Sequence, residues 1–395
     1  MKKNNAPFSV TRNLLGNEKR QAVTIPLLAI LLSLIAVSVV ILAVGNDPLA
    51  VFKSLLQGSG LLPKASYAAK KSMLTDFLSL LNALTPMLFA ALAVAIAFKA
   101  GLFNIGVSGQ MLAAGFVASI VIGYSALGPW LAKPLVILIG LTVGGAVGLL
   151  IGFLKHRFNI NEVVSSIMLN YIILYVSTFF INTNFVDPVS RQSRYISSAS
   201  RLTLTDLAVG ELKMDIPLGL LLALLTALAL KFLLDKTKTG YELKAVGVNR
   251  KAAKYAGMAV GRNIMLAMFI SGMLAGLAGV TYYLGFYSSI QPRVLTSVGF
   301  DAIAVSLLGN SSPIGVIFAS FLISVVTKGS TYMSSAVGVE QEIASVIVGL
   351  ILLFSACGVY IRYLTARSRD RLREQTATAE GAAPAAAVSE KGGDE

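Results

Sequence analysis

The chain has one cysteine, Cys357, and one histidine, His156, among its 395 residues. A single thiol excludes a disulfide framework and a thiolate metal site. The single imidazole stands between Lys155 and Arg157 with no carboxylate or thiol cluster beside it, so neither a metal centre nor acid–base catalysis has its parts there. Charge is scarce too, at 13% of residues, where soluble domains carry about a quarter. No G-x-x-x-x-G-K-S/T phosphate loop occurs, which excludes ATP binding and hydrolysis by that route. No H-E-x-x-H, no G-x-S-x-G and no acidic pair within an apolar segment is found, so an intramembrane enzyme lacks support and no cofactor is expected.

What is abundant is apolar sequence. Hydrophobic residues make up 55% of the chain and the mean hydropathy is +0.76, which marks an integral membrane protein. The net charge of +14 does not point to nucleic acid, because the basic residues lie at the ends of apolar segments. Runs long enough to cross ~30 Å as helices fall at Ala22–Val44, Asp76–Phe98, Asn104–Tyr124, Lys133–Leu154, Glu162–Ile181 and Ile216–Leu234. Three more follow at Asn263–Tyr283, Pro313–Ser335 and Glu342–Ile361, with a polar stretch, Gly45–Thr75, after the first span.

The three most basic regions are the N-terminal tail, the run Lys231–Arg262 and the tail from Arg362 through Arg367, Arg369, Arg371 and Arg373. The positive-inside rule assigns all three to the cytoplasm. An even number of crossings must then separate each from the next, which requires a tenth span in the short stretch Gly299–Leu308, read as a broken or short helix. The assignment leaves Lys53, Lys64, Lys70, Lys71, Arg191, Arg194 and Arg201 outside, against the bias, together with the acids Asp47, Asp187, Asp206, Glu211 and Asp215.

The segment Asn161–Ile167 (NEVVSSI) aligns with Gln341–Ile347 (QEIASVI). An odd number of spans separates the copies, so they face opposite ways, as in an inverted repeat. The expected fold is all-α: a polytopic membrane protein of about ten transmembrane helices with an inverted internal repeat. Residues 1–21 form a cytoplasmic tail, 22–362 the membrane domain with a cytoplasmic loop at 235–262, and 363–395 a low-complexity cytoplasmic tail.

Several polar residues interrupt the apolar spans. Asn104 and Gln110 lie in the glycine-containing stretch Lys99–Gln110, and Asn170 lies within a span. Each can hydrogen-bond a polar solute or a neighbouring helix. Asp301, an acid in the short tenth segment, is a functional candidate. Asn159 and Glu162 have the spacing of a capping box. Gly140, Gly144, Gly148 and Gly152, with Gly272 and Gly276, read as stripes for close helix packing. In the basic run, Asn249 is placed to cap a short helix over Arg250–Ala256, ended by Gly257. That run is either a solvated topological loop or a docking surface.

Four motifs occur in order: Phe103–Met111 (FNIGVSGQM), Asn161–Tyr171 (NEVVSSIMLNY), Gly240–Asn249 (GYELKAVGVN) with Ala252–Gly257 (AAKYAG), and Gly299–Gly309 (GFDAIAVSLLG). In combination the chain resembles the permease subunits of ATP-binding-cassette importers of the ribose and branched-chain amino acid group. It is most similar to the nucleoside branch that works with basic-membrane-protein-like lipoproteins. The resemblance covers about Phe77 to Ile361, and it departs at Ser108, where the family usually has an acid. It implies a cell-membrane location, a separate ATPase subunit, a second, different and shorter permease subunit, and an extracellular substrate-binding lipoprotein. It implies coupling to the ATPase through Tyr241, Glu242, Lys244, Ala245, Gly247, Asn249, Ala252, Ala253 and Gly257. A nucleoside would cross by alternating access past Asn104, Gln110 and Asn170. The sequence leaves open a permease for simple sugars or another small solute, a stand-alone ion-coupled carrier, and a receptor or scaffold.

Overall fold

In lipid every backbone N–H and C=O must be paired within the protein, and runs of Leu, Ile, Val and Ala do this as helices. The computed structural model describes residues 18–68, 70–209, 212–355 and 357, and among these it is a helical bundle with one β-hairpin. Helix α1 is Glu18–Ala43 and α2 is Pro48–Gly58, bent 113° from it. Then come α3 (Met73–Lys99), α4 (Val107–Ala118), α5 (Pro129–Phe158) and α6 (Glu162–Phe180). Strands β1 (Thr203–Val209) and β2 (Leu212–Pro217) pair antiparallel, with an irregularity between Leu204 and Leu207. They are followed by α7 (Leu218–Lys236), α8 (Lys238–Val248), α9 (Arg250–Tyr255), α10 (Val260–Thr281), α11 (Val298–Leu308), α12 (Pro313–Val337) and α13 (Glu342–Ser355).

Six of these helices are long and apolar enough to cross a membrane, and α1 with α2 makes a seventh. Three shorter apolar helices, α4 with its terminal turn, α11 and α13, stand where the sequence places the remaining crossings. The chain therefore alternates between two ends. One holds the Ala100–Gly106 loop, the α5–α6 turn and α8–α9. The other holds α2, the β-hairpin and the Tyr287–Ser297 loop. The two copies of the repeat each begin a helix, Glu162 at α6 and Glu342 at α13.

Helices α3 and α10 form the centre, with 89% and 72% of their most apolar stretches buried. The glycine stripes explain the tightest contact in the bundle, between α5 and α10. A Cβ at Gly144 would lie 2.6 Å from the Gly276 Cα, and one at Gly148 would lie 2.8 Å from the Gly272 Cα. Without side chains the backbones approach closely enough for dispersion over the whole interface, which is how helices adhere in lipid.

Several expectations require correction. Gly45–Thr75 contains α2, begun by Asp47, whose Oδ1 accepts from the Leu49 N–H, with Pro48 in the first turn. The third span starts at Val107, and Asn104 lies in a loop that dips into the bundle. Asn159 does not cap α6. It closes α5 in the left-handed conformation (φ 52°), and Asn161 is the cap, accepting from the Val163 N–H. Glu162 instead pairs with Lys155 at 2.8 Å. The hairpin was not expected. Residues 1–17 of the N-terminal tail, the last residues of the final span and the tail 363–395 lie outside the described residues.

Candidate coupling surface and polar interior

The polar run folds as two short capped helices. Thr237 caps α8, its Oγ1 accepting from the Gly240 N–H at 3.1 Å. Asn249 Oδ1 accepts from the Lys251 and Ala252 N–H groups at 3.0 and 3.1 Å to start α9. Gly257, at φ +77°, takes the left-handed turn that leads to α10. Asn249 and Gly257 thus sit as the sequence placed them.

The segment divides into a seat and a display. Leu243, Val246 and Ala253 are buried against the bundle. At Gly247 a Cβ would fall 2.9 Å from the Gly101 N, so backbone meets backbone. The Arg250 guanidinium donates to the Gly101 carbonyl at 3.0 Å. Glu242 Oε2 accepts from the Asn263 side chain at 3.0 Å, tying α8 to α10. Lys244 and Asp235 face each other across 3.6 Å at the surface. On the outer side Tyr241, Val248 and Tyr255 are 64%, 89% and 93% exposed. Tyr241 and Val248 are two turns apart on α8 and share a face. Ala252 is exposed beside them and Ala245 is half-buried.

The segment therefore turns three large side chains, Tyr241, Val248 and Tyr255, away from the bundle. All three lie within the segment Tyr241–Gly257, and Tyr241 is among the residues that the resemblance implies for coupling. Of the residues it named, Gly247 and Ala253 face inward and position the segment.

Three of the polar candidates meet inside the bundle. The Asn104 Nδ2 donates to Gln110 Oε1 at 3.1 Å and to Ser271 Oγ at 2.8 Å, while its Oδ1 accepts from the Gly106 N–H. Ser271 Oγ donates to the Ala93 carbonyl of α3 at 2.6 Å. Asn170 Oδ1 accepts from the Gly109 N–H at 3.0 Å, and its Nδ2 donates to the Ile105 carbonyl at 3.1 Å. All are buried. In this conformation they bind α3, α4, α6 and α10 to the dipping loop. Ser108, where an acid was the family expectation, donates to the Thr296 carbonyl at 2.9 Å.

Asp301 is apart from that cluster. Its Oδ2 accepts from Ser297 Oγ at 3.1 Å, and it borders a cavity of about 290 Å³ with Thr327, Ser330, Gln341 and Glu342. A second cavity of about 260 Å³, lined by Tyr282, Tyr283, Tyr287, Gln192, Gln291 and Thr296, shares Ser297 with the first. Among the described residues no group of His, Cys, Asp and Glu side chains could hold a metal ion.

The chain is similar to several known proteins. The guanosine ABC transporter permease protein NupP of Bacillus subtilis is 34% identical over 88% of this chain and 97% of its own. The nucleoside ABC transporter permease protein NupB of Lactococcus lactis subsp. cremoris is 32% identical over 89% of this chain and 96% of its own. A glucose ABC transporter permease protein of Haloferax volcanii is 27% identical over 72% of this chain and 77% of its own. Residues 77–356 match the family described as branched-chain amino acid transport system / permease component, and the chain belongs to that family.

Proposed function

We propose that this chain is the membrane-spanning permease subunit of an ATP-binding-cassette importer that translocates nucleosides by alternating access. The observation that carries this reading is the similarity, over nearly their whole lengths, to two permeases named for guanosine and for nucleosides. Permease components of this family are not enzymes, and they work with an ATPase subunit. The full assembly would add a second, different permease and an extracellular binding lipoprotein. The termini and α8–α9 would face the cytoplasm, with the membrane domain over 22–362 between the two tails.

In this account the ATPase docks on Tyr241, Val248 and Tyr255, with Lys244 and Ala252 at the edge. Glu242, Ala245, Gly247, Asn249, Ala253 and Gly257 hold that surface rigidly on the bundle. Closure of the ATPase then moves α8–α9 as a body and rocks the helices attached to it. Asp301, which faces a cavity, is the path residue. Asn104, Gln110 and Asn170 contribute to the path when alternating access opens their cluster.

Uptake of radiolabelled adenosine, guanosine, uridine and cytidine by cells lacking the chain tests the substrate. Loss of nucleoside uptake, restored by the gene, is the expected result, and unchanged uptake of all four overturns it. Similarity to the glucose permease favours a second reading, import of a simple sugar, which the same cells test with labelled sugars.

A further inference from the structure

Three spans unwind into single π-helical turns at the hairpin end: Ser119–Gly123, Ile181–Phe185 and Tyr282–Phe286. Such turns widen the backbone and recur at functional sites. The third carries an aromatic run, continued by Tyr287. The Tyr282 and Tyr287 rings lie 5.0 Å apart at 60°, and Phe286 and Tyr287 meet edge-on at 4.8 Å. Tyr283 is buried, but Tyr287 is 48% exposed, so its ring is not consumed by core packing.

These rings do not stand as isolated anchors facing lipid. Tyr282 and Tyr287 line the 260 Å³ cavity, and the carboxamides of Gln192 and Gln291 line it with them. Gln192 Oε1 already accepts from Ser289 Oγ at 2.6 Å, which fixes that amide and leaves its N–H₂ to donate. Ser297 lines both this cavity and the one bordered by Asp301. Together the two cavities present π faces, amide donors and acceptors, a hydroxyl and a carboxylate.

A nucleoside presents matching groups. Its base has a π face that stacks on aromatic rings whatever the base. Its base edge carries donors and acceptors that a carboxamide can meet. Its ribose hydroxyls donate to a carboxylate. We infer that the Tyr282/Tyr287 cavity and its Ser297–Asp301 extension form a nucleoside subsite on the permease, the base stacking at Tyr287 and the ribose turned toward Asp301. The inference rests on the nucleoside reading above and adds where in this chain the solute is held. Stacking tolerates any base, so the subsite passes purine and pyrimidine nucleosides alike.

The test uses the whole transporter, with its partner permease, ATPase and binding lipoprotein, in proteoliposomes with saturating radiolabelled adenosine or uridine. Tyr287→Ala is expected to lower ATP-driven uptake about tenfold, the loss of one base–aromatic stack, while Tyr287→Phe, which keeps the π face, stays within about twofold of wild type. Nucleoside binding by the isolated lipoprotein is unchanged in both cases. Wild-type uptake that Tyr287→Ala and Gln291→Ala both leave intact overturns the subsite and spares the nucleoside reading. No nucleoside uptake by the wild-type complex overturns both. If the alanine variant does not assemble, irradiation of the wild-type complex with 8-azidoadenosine decides. Label within residues 282–301 supports the subsite, and label on this chain confined elsewhere overturns it.

Discussion

At Gly247 the backbone of α8 rests on the turn that follows α3, and a hydrogen atom is all that fits between them. Gly247→Ala must push the Lys99–Gly101 turn away, an overpacking of about 1–3 kcal/mol. Because the strain falls on the seat of α8–α9 and not on a transmembrane helix, we expect normal membrane levels with reduced ATP-driven uptake, read by immunoblot beside transport. Normal uptake would show that the seat yields without consequence. At this scale the sequence was most legible where the interaction is local. Asn249 and Gly257 declare themselves because a cap and a left-handed turn are decided within four residues. Asn159 and Asn161 show the limit, since two asparagines two residues apart both suit a helix end. Only the path of the chain assigns one to close α5 and the other to open α6. The amides of Asn104, Gln110 and Asn170 were legible as polar groups needing partners. Their partners, Ser271 and the backbone at Ile105 and Gly109, come from distant sequence or from the loop geometry.

Among the elements, α5 and α10 depend on one another most. Their glycines leave no room for a side chain, and the contact runs over three turns of each helix. Gly276→Leu should separate the pair and lower the thermal transition of the detergent-solubilised protein, as core overpacking does at about 1–3 kcal/mol or more. Gly349→Leu, at a position where a Cβ meets nothing within 4 Å, is the matched control and should leave the transition unmoved. Equal stability of the two variants would remove the stripe's structural role. The spacing of four residues made this interface readable in advance. Helix α2 was readable as well, through Asp47 and Pro48, but the polar residues around it suggested a loop. The hairpin was less accessible, because β1 and β2 hold each other mainly through backbone pairing.

At the scale of the whole molecule, parity is the argument the sequence offers for topology. Three basic regions had to share a side, and that demanded a crossing near Asp301 where no span-length run exists. Helix α11 occupies that place with 11 residues. The basic residues left on the opposite side are partly accounted for by pairing: Lys64 meets Asp76 at 2.7 Å and lies 4.6 Å from the Tyr332 ring. What composition could not convey is the division of the α8–α9 segment into a buried seat and an exposed display, which requires knowing where the bundle is. Under the proposed function this display is where the ATPase engages. Its most direct test is co-purification of the ATPase, together with ATP-driven nucleoside uptake, for a variant with Tyr241, Val248 and Tyr255 all changed to alanine. Exposed side chains change stability little, within about 0.5 kcal/mol each. The variant should therefore insert at wild-type levels while losing both the ATPase and uptake. Retention of the ATPase with full ATP-driven uptake would contradict the account.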